Sequence, residues 1–315
     1  MPNQRKPEMD RPDATNMTDD LFTIRDWLRY GVSAFNEAQL AFGHGTDNAV
    51  DEAAFLILSA LHLPIDALEP WLDCRLTQAE RARVGDLIAR RISTRKPAAY
   101  LTQAAYIQGR KFYVDERVIV PRSFIGELMC QDALAAVVAD ADAIATVLDL
   151  CTGSGCLAIL AAEAFPNARI DAADISDDAL AVARRNVDDY DLAARVQLMH
   201  SNLFDAIPTR RYDLIISNPP YVTATAVAQF PLEYQAEPQL AHLGGTDGLD
   251  LVRTILERAH DYLAPDGILI VEIGNGREAL ETAYPSLPFF WLDTETSEGE
   301  VFALTADDLV ANAMR

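Results

Sequence analysis

Residues 147–156 read VLDLCTGSGC, an apolar run that ends in a turn containing two glycines. A short apolar run bounded by turn residues is typical of a strand buried on both faces of a parallel sheet. Gly153 and Gly155 allow the backbone to pass close to a ligand, ahead of the positive end of the helix that follows. The third glycine of a dinucleotide fingerprint is replaced by Ala158, and no Walker lysine follows. The stretch therefore predicts a ligand site without a phosphate cradle.

Downstream of this stretch, short apolar segments alternate with helical ones, which predicts a doubly wound α/β fold around a mostly parallel sheet. The predicted strands are 147–151, 170–174, 196–200, 214–217 and 268–273, with helices at 156–165, 177–189 and 249–263. Residues 289–294 and 300–304 are predicted to close the sheet as an antiparallel hairpin. The sheet is thus expected to have seven strands.

Upstream of the sheet, the pattern is helical. Apolar residues recur at helical spacing from Leu21 to about Ala99, and Asn48 is a candidate helix cap. Ser123 is a second candidate cap, for a helix running to about Val138. The predicted organisation is a disordered tail (1–20), a small helical domain (21–105), a hairpin linker with a turn at Asp115-Glu116 (106–120) and the sheet domain (121–315).

Composition makes some classes of function poor candidates. The formal net charge of −22 repels phosphate backbones and attracts basic partners, so nucleic acid is a poor candidate ligand. The four cysteines lack CxxC spacing and the five histidines lack HxxxH spacing, so we expect neither disulfides nor a metal site. The absence of a long apolar run and of a secretory signal favours a cytoplasmic protein without membrane contact.

Polar side chains follow the predicted strands at their carboxyl ends, the edge at which open α/β sheets bind ligands. Asp174 ends the second strand, where a carboxylate can accept both hydroxyls of a ribose. Asn202 offers an amide to an adenine edge, and Leu203 and Phe204 offer apolar groups to its face. A nucleoside site without a phosphate cradle suggests S-adenosylmethionine as the cofactor. The predicted cofactor-binding residues are Asp149, Cys151, Thr152, Gly153, Ser154, Gly155, Asp174, Ile175, Asn202, Leu203, Phe204 and Asn218.

The fourth strand ends abruptly at Ser217, because the two prolines in Asn218-Pro219-Pro220-Tyr221 cannot donate to a sheet ladder. A carboxamide, a proline carbonyl and an aromatic ring are left side by side at the strand end. This arrangement is a preformed set of hydrogen-bond acceptors beside a stacking surface.

Five segments together resemble the HemK-type protein glutamine N5-methyltransferases. They are DLCTGSGCLAI (149–159), AADIS (172–176), SNPPYV (217–222), the stretch from Glu237-Pro238 to Leu249, and VEIG (271–274). The resemblance runs in order from Leu21 to Leu304. It implies a class I S-adenosylmethionine-dependent methyltransferase fold, with residues 121–315 as the catalytic domain. Because the helical domain differs from the catalytic half, we expect it to recognise the substrate.

Two branches of this family are known, and their targets are a glutamine in the third protein of the large ribosomal subunit and the GGQ glutamine of peptide release factors. The amino-terminal half decides between them. Segments 23–27, 42–48, 112–117 and 121–128 are similar to the ribosomal-protein branch, which implies a basic ribosomal protein as the partner. Release-factor enzymes usually have Pro-Arg-Pro-Glu-Thr-Glu where this chain has Ser123-Phe124-Ile125, and commonly have glycine at 151 and Asp-Trp at 202–203.

The resemblance places catalysis on Asn218, Pro219, Pro220 and Tyr221. An amide nitrogen is a poor nucleophile, so we expect the Asn218 side-chain oxygen and the Pro219 carbonyl to accept its two hydrogens while Tyr221 covers the amide face. NPPY also resembles the motif of adenine amino-group methyltransferases, although no dense cluster of Lys and Arg accompanies it here. A chaperone of a ribosomal protein without methyl transfer is the non-enzymatic alternative.

Overall fold

The computed structural model describes residues 18–131, 133–294 and 296–313, which divide into two compact units between Thr102 and Gln103. Most of the predicted tail, residues 1–17, lies outside the described residues. Thr18 accepts a hydrogen bond from the Leu21 N–H at 3.2 Å, in a turn that precedes the first helix.

The first unit is helical. Its helices are α1 (Ile24–Glu37), α2 (Ala49–Leu61), α3 (Gln78–Thr94) and the short α4 (Ala98–Thr102). Asn48 caps α2 as expected, because its side-chain oxygen accepts the N–H groups of Val50 and Asp51 at 3.0 Å. Trp27 and Phe35 of α1 are buried against apolar side chains of α2 and α3.

The core of the first unit also contains an ion pair. The Arg91 guanidinium donates to Glu52 at 2.7 Å, and neither side chain is exposed to solvent. Arg91 also donates to the Ala41 carbonyl at 2.9 Å. The Thr46 hydroxyl donates to Glu52 at 3.1 Å. Burial of both charges is costly, so the pair depends on these two additional hydrogen bonds.

The structure corrects the predicted hairpin. Its strands are β1 (Ala105–Ile107) and β2 (Arg110–Phe112), which pair antiparallel around a turn at Gln108-Gly109. Both turn residues have positive φ, 47° and 77°, as a tight two-residue hairpin turn requires. The predicted turn at Asp115-Glu116 is wrong.

Residues 117–120 form no strand, because Asp115 folds the chain locally. Its carboxylate accepts the Arg117 N–H at 3.1 Å and the guanidinium at 2.6 Å. These bonds hold the pKa of Asp115 at about 2, mainly through the guanidinium. The hairpin and this turn both belong to the second unit.

The second unit contains a seven-stranded sheet in the order β5-β4-β3-β6-β7-β9-β8. Five neighbouring strands are parallel, and β9 runs antiparallel to both β7 and β8, which confirms the predicted closing hairpin. The strands are β3 (Thr146–Leu150), β4 (Arg169–Asp174), β5 (Val196–His200), β6 (Tyr212–Ser217), β7 (Leu263–Glu272), β8 (Phe290–Leu292) and β9 (Val301–Thr305).

Apolar side chains cover both faces of the sheet, which explains the continuous apolar pattern of its strands. Val147 of β3 packs in the cluster on one face and Leu148 in the cluster on the other. The helices of this unit are α5 (Phe124–Cys130), α6 (Cys156–Ala164), α7 (Asp177–Asp189), α8 (Ala224–Val227), α9 (Asp250–Arg258), α10 (Arg277–Ala283) and α11 (Ala306–Ala313).

The helix after the linker differs from the prediction at both ends. It stops at Cys130 rather than near Val138, and Ser123 does not cap it with its side chain. The Ser123 hydroxyl donates instead to Glu272 at the end of β7. Among the described residues, no helix is both long and apolar enough to span a bilayer.

Candidate active site

The strand order reverses at β3, whose two neighbours are β4 and β6. In doubly wound sheets the carboxyl ends of the strands at such a reversal leave a crevice for ligands. The glycine turn after β3, Asp174 at the end of β4 and Asn218 after β6 all lie at this point. The fold therefore brings together three of the predicted groups.

One cavity at this edge, which we call the Asp174 cavity, has a volume of about 380 Å³. This volume falls within the range of roughly 300–1,000 Å³ that is usual for small-molecule sites. The predicted residues among its lining are Cys151, Gly153, Asp174, Ile175, Asn202, Leu203 and Asn218.

Asp174 is held by backbone groups on both sides. One carboxylate oxygen accepts the Gly153 N–H and the other accepts the Ser176 N–H, each at 2.9 Å. Burial raises the pKa of Asp174, and these backbone bonds oppose that effect. Helix α7 is capped by Ser176, which accepts the Ala179 N–H at 3.2 Å. Since a carboxylate can accept about four hydrogen bonds, Asp174 retains capacity for two ligand hydroxyls.

A second cavity, the Tyr221 cavity, has a volume of about 420 Å³. Its lining includes all four residues of Asn218-Pro219-Pro220-Tyr221, together with Thr152 and Ser154. The two cavities share the lining residues Ile119, Cys151, Gly153, Asn218, Pro220 and Ala241. A ligand in one cavity can thus approach a group in the other at Asn218.

The backbone after Tyr221 is braced by residues 242–248. The Val222 N–H donates to the His242 carbonyl at 2.8 Å, and the Gly244 N–H donates to the Val222 carbonyl at 2.9 Å. A Cβ at Gly248 would lie 2.3 Å from the Tyr221 carbonyl oxygen, far inside van der Waals contact. Glycine at 248 is therefore required for this close approach.

A buried carboxylate, Glu237, ties the wall of the Tyr221 cavity together. Arg122 donates to its two oxygens, each at 2.9 Å, and the Val120 N–H donates at 2.8 Å. His242 Nε2 lies 3.0 Å from the same carboxylate. The sequence contains both Arg122 and Glu237 within the family segments, but no local pattern indicates that residues 115 positions apart form a pair.

Three predicted cofactor residues line neither cavity. Asp149 is fully buried behind the glycine turn, where it accepts the Thr152 hydroxyl at 2.5 Å, and burial raises its pKa to about 7. Gly155 packs against Ala183 of α7, which a Cβ would approach to 3.1 Å. Phe204 is fully buried and stacks on Tyr262.

Two positions that differ from the release-factor pattern adopt left-handed backbone. Cys151 has φ of 60° and Leu203 has φ of 47°, both unusual for residues with a Cβ. The conformation at 151 suits the glycine that release-factor enzymes commonly have there.

No group of three or more His, Cys, Asp or Glu side chains that could hold a metal ion occurs in the part of the chain that the structure describes. The two cavities are lined by carboxylate, amide, backbone carbonyl and aromatic groups, which bind and orient a ligand. Cys151 and Cys156 also line them, but burial raises the pKa of both thiols, and a protonated thiol is a weak nucleophile.

Comparison with known proteins defines the class. Residues 131–234 match the family model described as the methyltransferase small domain. Together with the strand order and the crevice beside β3, this match identifies the chain as a class I methyltransferase, a class that uses S-adenosylmethionine as methyl donor.

Similar proteins of known name indicate the family within this class. The chain is 53% identical over 298 residues to the ribosomal protein uL3 glutamine methyltransferase of Burkholderia pseudomallei, covering 92% of this chain and 97% of that one. It is 56% identical over 295 residues to the protein of that name from Bradyrhizobium diazoefficiens, covering 92% of each chain. The Neisseria gonorrhoeae protein of that name is 54% identical, covering 92% of this chain and 97% of that one. The chain belongs to the ribosomal protein uL3 glutamine methyltransferase family.

Proposed function

We propose that this chain transfers a methyl group from S-adenosylmethionine to the side-chain amide nitrogen of a glutamine in ribosomal protein uL3. The observation that carries the proposal is the meeting of two cavities at Asn218. One cavity offers groups suited to a nucleoside and the other offers groups suited to a planar amide. Methyl transfer requires these two ligands to face each other across a short distance.

The Asp174 cavity is the proposed site of the cofactor. Asp174 would accept the ribose hydroxyls, and Asn202 and Leu203 would lie against the adenine. The glycine turn would face the methionyl part, and the sulfonium supplies the electrophilic methyl group. No Walker-type phosphate cradle accompanies the site, which fits a cofactor without phosphate.

The Tyr221 cavity is the proposed site of the acceptor glutamine. The Asn218 side-chain oxygen and the Pro219 carbonyl would accept the two amide hydrogens and draw the nitrogen lone pair out of conjugation. Tyr221 would cover the amide face. As the N–CH₃ bond forms and the S–CH₃ bond breaks, the nitrogen becomes cationic and acidic and releases one proton to water.

Three further assignments complete the proposal. The helical unit recognises the ribosomal protein, which is a basic substrate for an acidic enzyme. The reaction takes place in the cytoplasm, and no sequence-specific contact with nucleic acid is involved.

The direct test is peptide mapping by mass spectrometry after incubation of the protein and S-adenosylmethionine with newly translated uL3 or with a peptide release factor. We expect one methyl group on a glutamine of uL3, none on the release factor, and a loss of at least about a hundredfold in rate for Asn218→Ala. Methylation of the release factor alone would assign the chain to the other branch of substrates. Methylation of neither would overturn the proposal.

The cofactor site has its own test. Asp174→Ala should weaken S-adenosylmethionine binding by about tenfold to a hundredfold, because two hydrogen bonds to a charged group are lost. Isothermal calorimetry measures this affinity without uL3. A matched control is Asp171→Ala on the same strand, since Asp171 is buried but lines neither cavity. Equal cofactor affinity in the Asp174 variant and the wild type would contradict the assignment.

A further inference from the structure

Glu272 is a buried carboxylate at the carboxyl end of β7, and nothing in the proposed chemistry uses it. Its side chain is 1% exposed. One oxygen accepts the Ser123 hydroxyl at 2.7 Å and the Phe124 N–H at 2.9 Å, both at the start of α5. Three segments far apart in sequence meet at this carboxylate, because its other oxygen faces Tyr221.

The Tyr221 hydroxyl donates to the second Glu272 oxygen at 3.2 Å. Burial and, secondarily, the negative charge of Glu272 raise the pKa of Tyr221. The phenol is therefore protonated at neutral pH and remains a hydrogen-bond donor to Glu272.

The Tyr221 ring also packs against the backbone at Gly274. A Cβ at Gly274 would lie 2.6 Å from the ring carbon Cε2, so the ring packs directly on the Gly274 backbone. Gly274 follows Glu272 by two residues, and the end of β7 thus supports both the ring and its hydroxyl. The ring lines the Tyr221 cavity beside Asn218 and Pro219.

We propose that Glu272 is a positioning residue for methyl transfer, which acts by fixing the Tyr221 ring against the acceptor amide. The inference rests on the proposed function of the Tyr221 cavity. When the hydroxyl is not held, the ring can tilt about its side-chain bonds, and the amide loses the surface that aligns its nitrogen with the methyl group. Misalignment of this kind lowers the rate of the chemical step and leaves the cofactor site intact, because Glu272 lines neither cavity.

The test is a double-mutant cycle with Tyr221→Phe, Glu272→Gln and the double variant. Tyr221→Phe removes only the hydroxyl and keeps the ring. We expect each single variant to lower kcat for uL3 methylation by about tenfold to a hundredfold with S-adenosylmethionine affinity unchanged. In Glu272→Gln the single amide oxygen is required by the Ser123 hydroxyl and the Phe124 N–H, so the amide nitrogen faces the Tyr221 hydroxyl. The double variant should be no slower than the slower single variant, since both changes remove the bond between the tyrosine hydroxyl and the carboxylate.

A matched control is available in the same sheet. Tyr212 of β6 donates its hydroxyl to the buried Asp171 of β4 at 2.6 Å, and neither residue lines either cavity. Tyr212→Phe removes the same kind of buried tyrosine–carboxylate bond, so it should lower the melting temperature and leave kcat unchanged. This control separates positioning from general loss of stability.

Three outcomes overturn the inference: an unchanged kcat in Tyr221→Phe, multiplied losses in the double variant, or an equal loss of kcat in Tyr212→Phe. The first outcome is decisive even where Glu272→Gln does not fold. Failure of the proposed function is distinct, because it appears as absence of uL3 methylation by the wild-type protein.

Discussion

At the scale of single residues, the site is built from polar groups whose environment is unusual. Asp149 and Glu272 are carboxyl groups buried near the carboxyl ends of β3 and β7, and burial raises the pKa of each to about 7. Asp174 is only partly buried, and backbone N–H groups oppose the rise in its pKa that desolvation causes. Buried carboxyls of this kind link protonation to stability, because the folded chain holds a proton that the unfolded chain releases.

Glu272 provides a prediction with a definite sign. Its pKa is about 7 in the folded protein and about 4.5 when it is not perturbed. The folded state therefore binds more protons between these values. Proton binding by Glu272 therefore stabilises the folded state relative to the unfolded state. This contribution reaches its maximum, about 3 kcal/mol, below about pH 4.5, and it is lost as the pH rises to about 7.

Urea unfolding at several pH values between 4.5 and 8 measures this effect. The free energy of unfolding of the wild type should fall more steeply with rising pH than that of Glu272→Gln. Asp149 contributes a similar slope to both proteins and cancels in the comparison. Parallel profiles would show that Glu272 does not titrate in this range.

At the scale of elements, the strands and their order position the chemistry, while the segments between them shape the cavities. Strands β3, β4 and β6 deliver the glycine turn, Asp174 and Asn218 to one edge. The segment between β6 and α9 then folds back over the proline-containing turn. Its glycines allow backbone to lie on backbone, which side chains would prevent.

Gly248→Ala tests this brace, with Gly109→Ala as the matched control. Both glycines have positive φ, 83° and 77°, but a Cβ at Gly109 would meet nothing within 4 Å. The control should lose only the conformational cost of about 1 kcal/mol, with methyl transfer unchanged. Gly248→Ala should lose at least about 2 kcal/mol more, because the new Cβ overlaps the Tyr221 carbonyl oxygen, and methyl transfer should fall at least about tenfold. Equal effects of the two substitutions, in urea unfolding and in the rate assay, would rule out the brace.

The helical unit provides a second test at this scale, in the pairing of α2 with α3 through Glu52 and Arg91. Glu52→Ala leaves the Arg91 charge buried without its carboxylate, and we expect a loss of about 3–5 kcal/mol in urea unfolding. Glu80→Ala is the control, since Glu80 is an exposed acidic residue of the capping box of α3 and should cost about 1 kcal/mol. A loss in Glu52→Ala no larger than in the control would mean that relaxation or water compensates the buried charge.

At the scale of the whole molecule, charge is the dominant property. A net charge of −22 produces a field that accelerates encounter with a basic protein and opposes encounter with nucleic acid. This field acts over a distance of about 8–10 Å at physiological ionic strength. It therefore affects association with the protein substrate more than it affects a small cofactor held by short hydrogen bonds.

Salt dependence tests this distinction. Between about 50 and 300 mM sodium chloride, KM for uL3 should rise severalfold, while KM for S-adenosylmethionine should change less than about twofold. Steady-state kinetics with one substrate varied at a time measures both. A KM for uL3 that does not depend on salt would mean that apolar contacts dominate recognition.

Some features of the fold and of the site follow from local sequence patterns, and others do not. The parallel sheet, the closing hairpin and the edge that carries Gly153, Asp174 and Asn218 could be predicted, because each depends on local patterns: apolar runs, glycine turns and prolines that end a strand. Local patterns were insufficient for the first hairpin. Its turn lies at Gln108-Gly109. Residues 117–120, which were expected to form the second strand, do not pair as a strand, because Asp115 binds Arg117 in a local turn.

The sequence by itself determined which chemical groups stand at the strand ends, since apolar runs and the turn residues after them predicted the end of each parallel strand to within one residue. Only the tertiary structure decided that Arg122 pairs with Glu237 and that Ser123 and Tyr221 share Glu272. These partners lie 51 to 149 residues apart. A buried carboxylate must accept hydrogen bonds from the donors that surround it in the folded chain. Those donors come from distant segments that pack together, so the residues next to the carboxylate in the sequence do not indicate them.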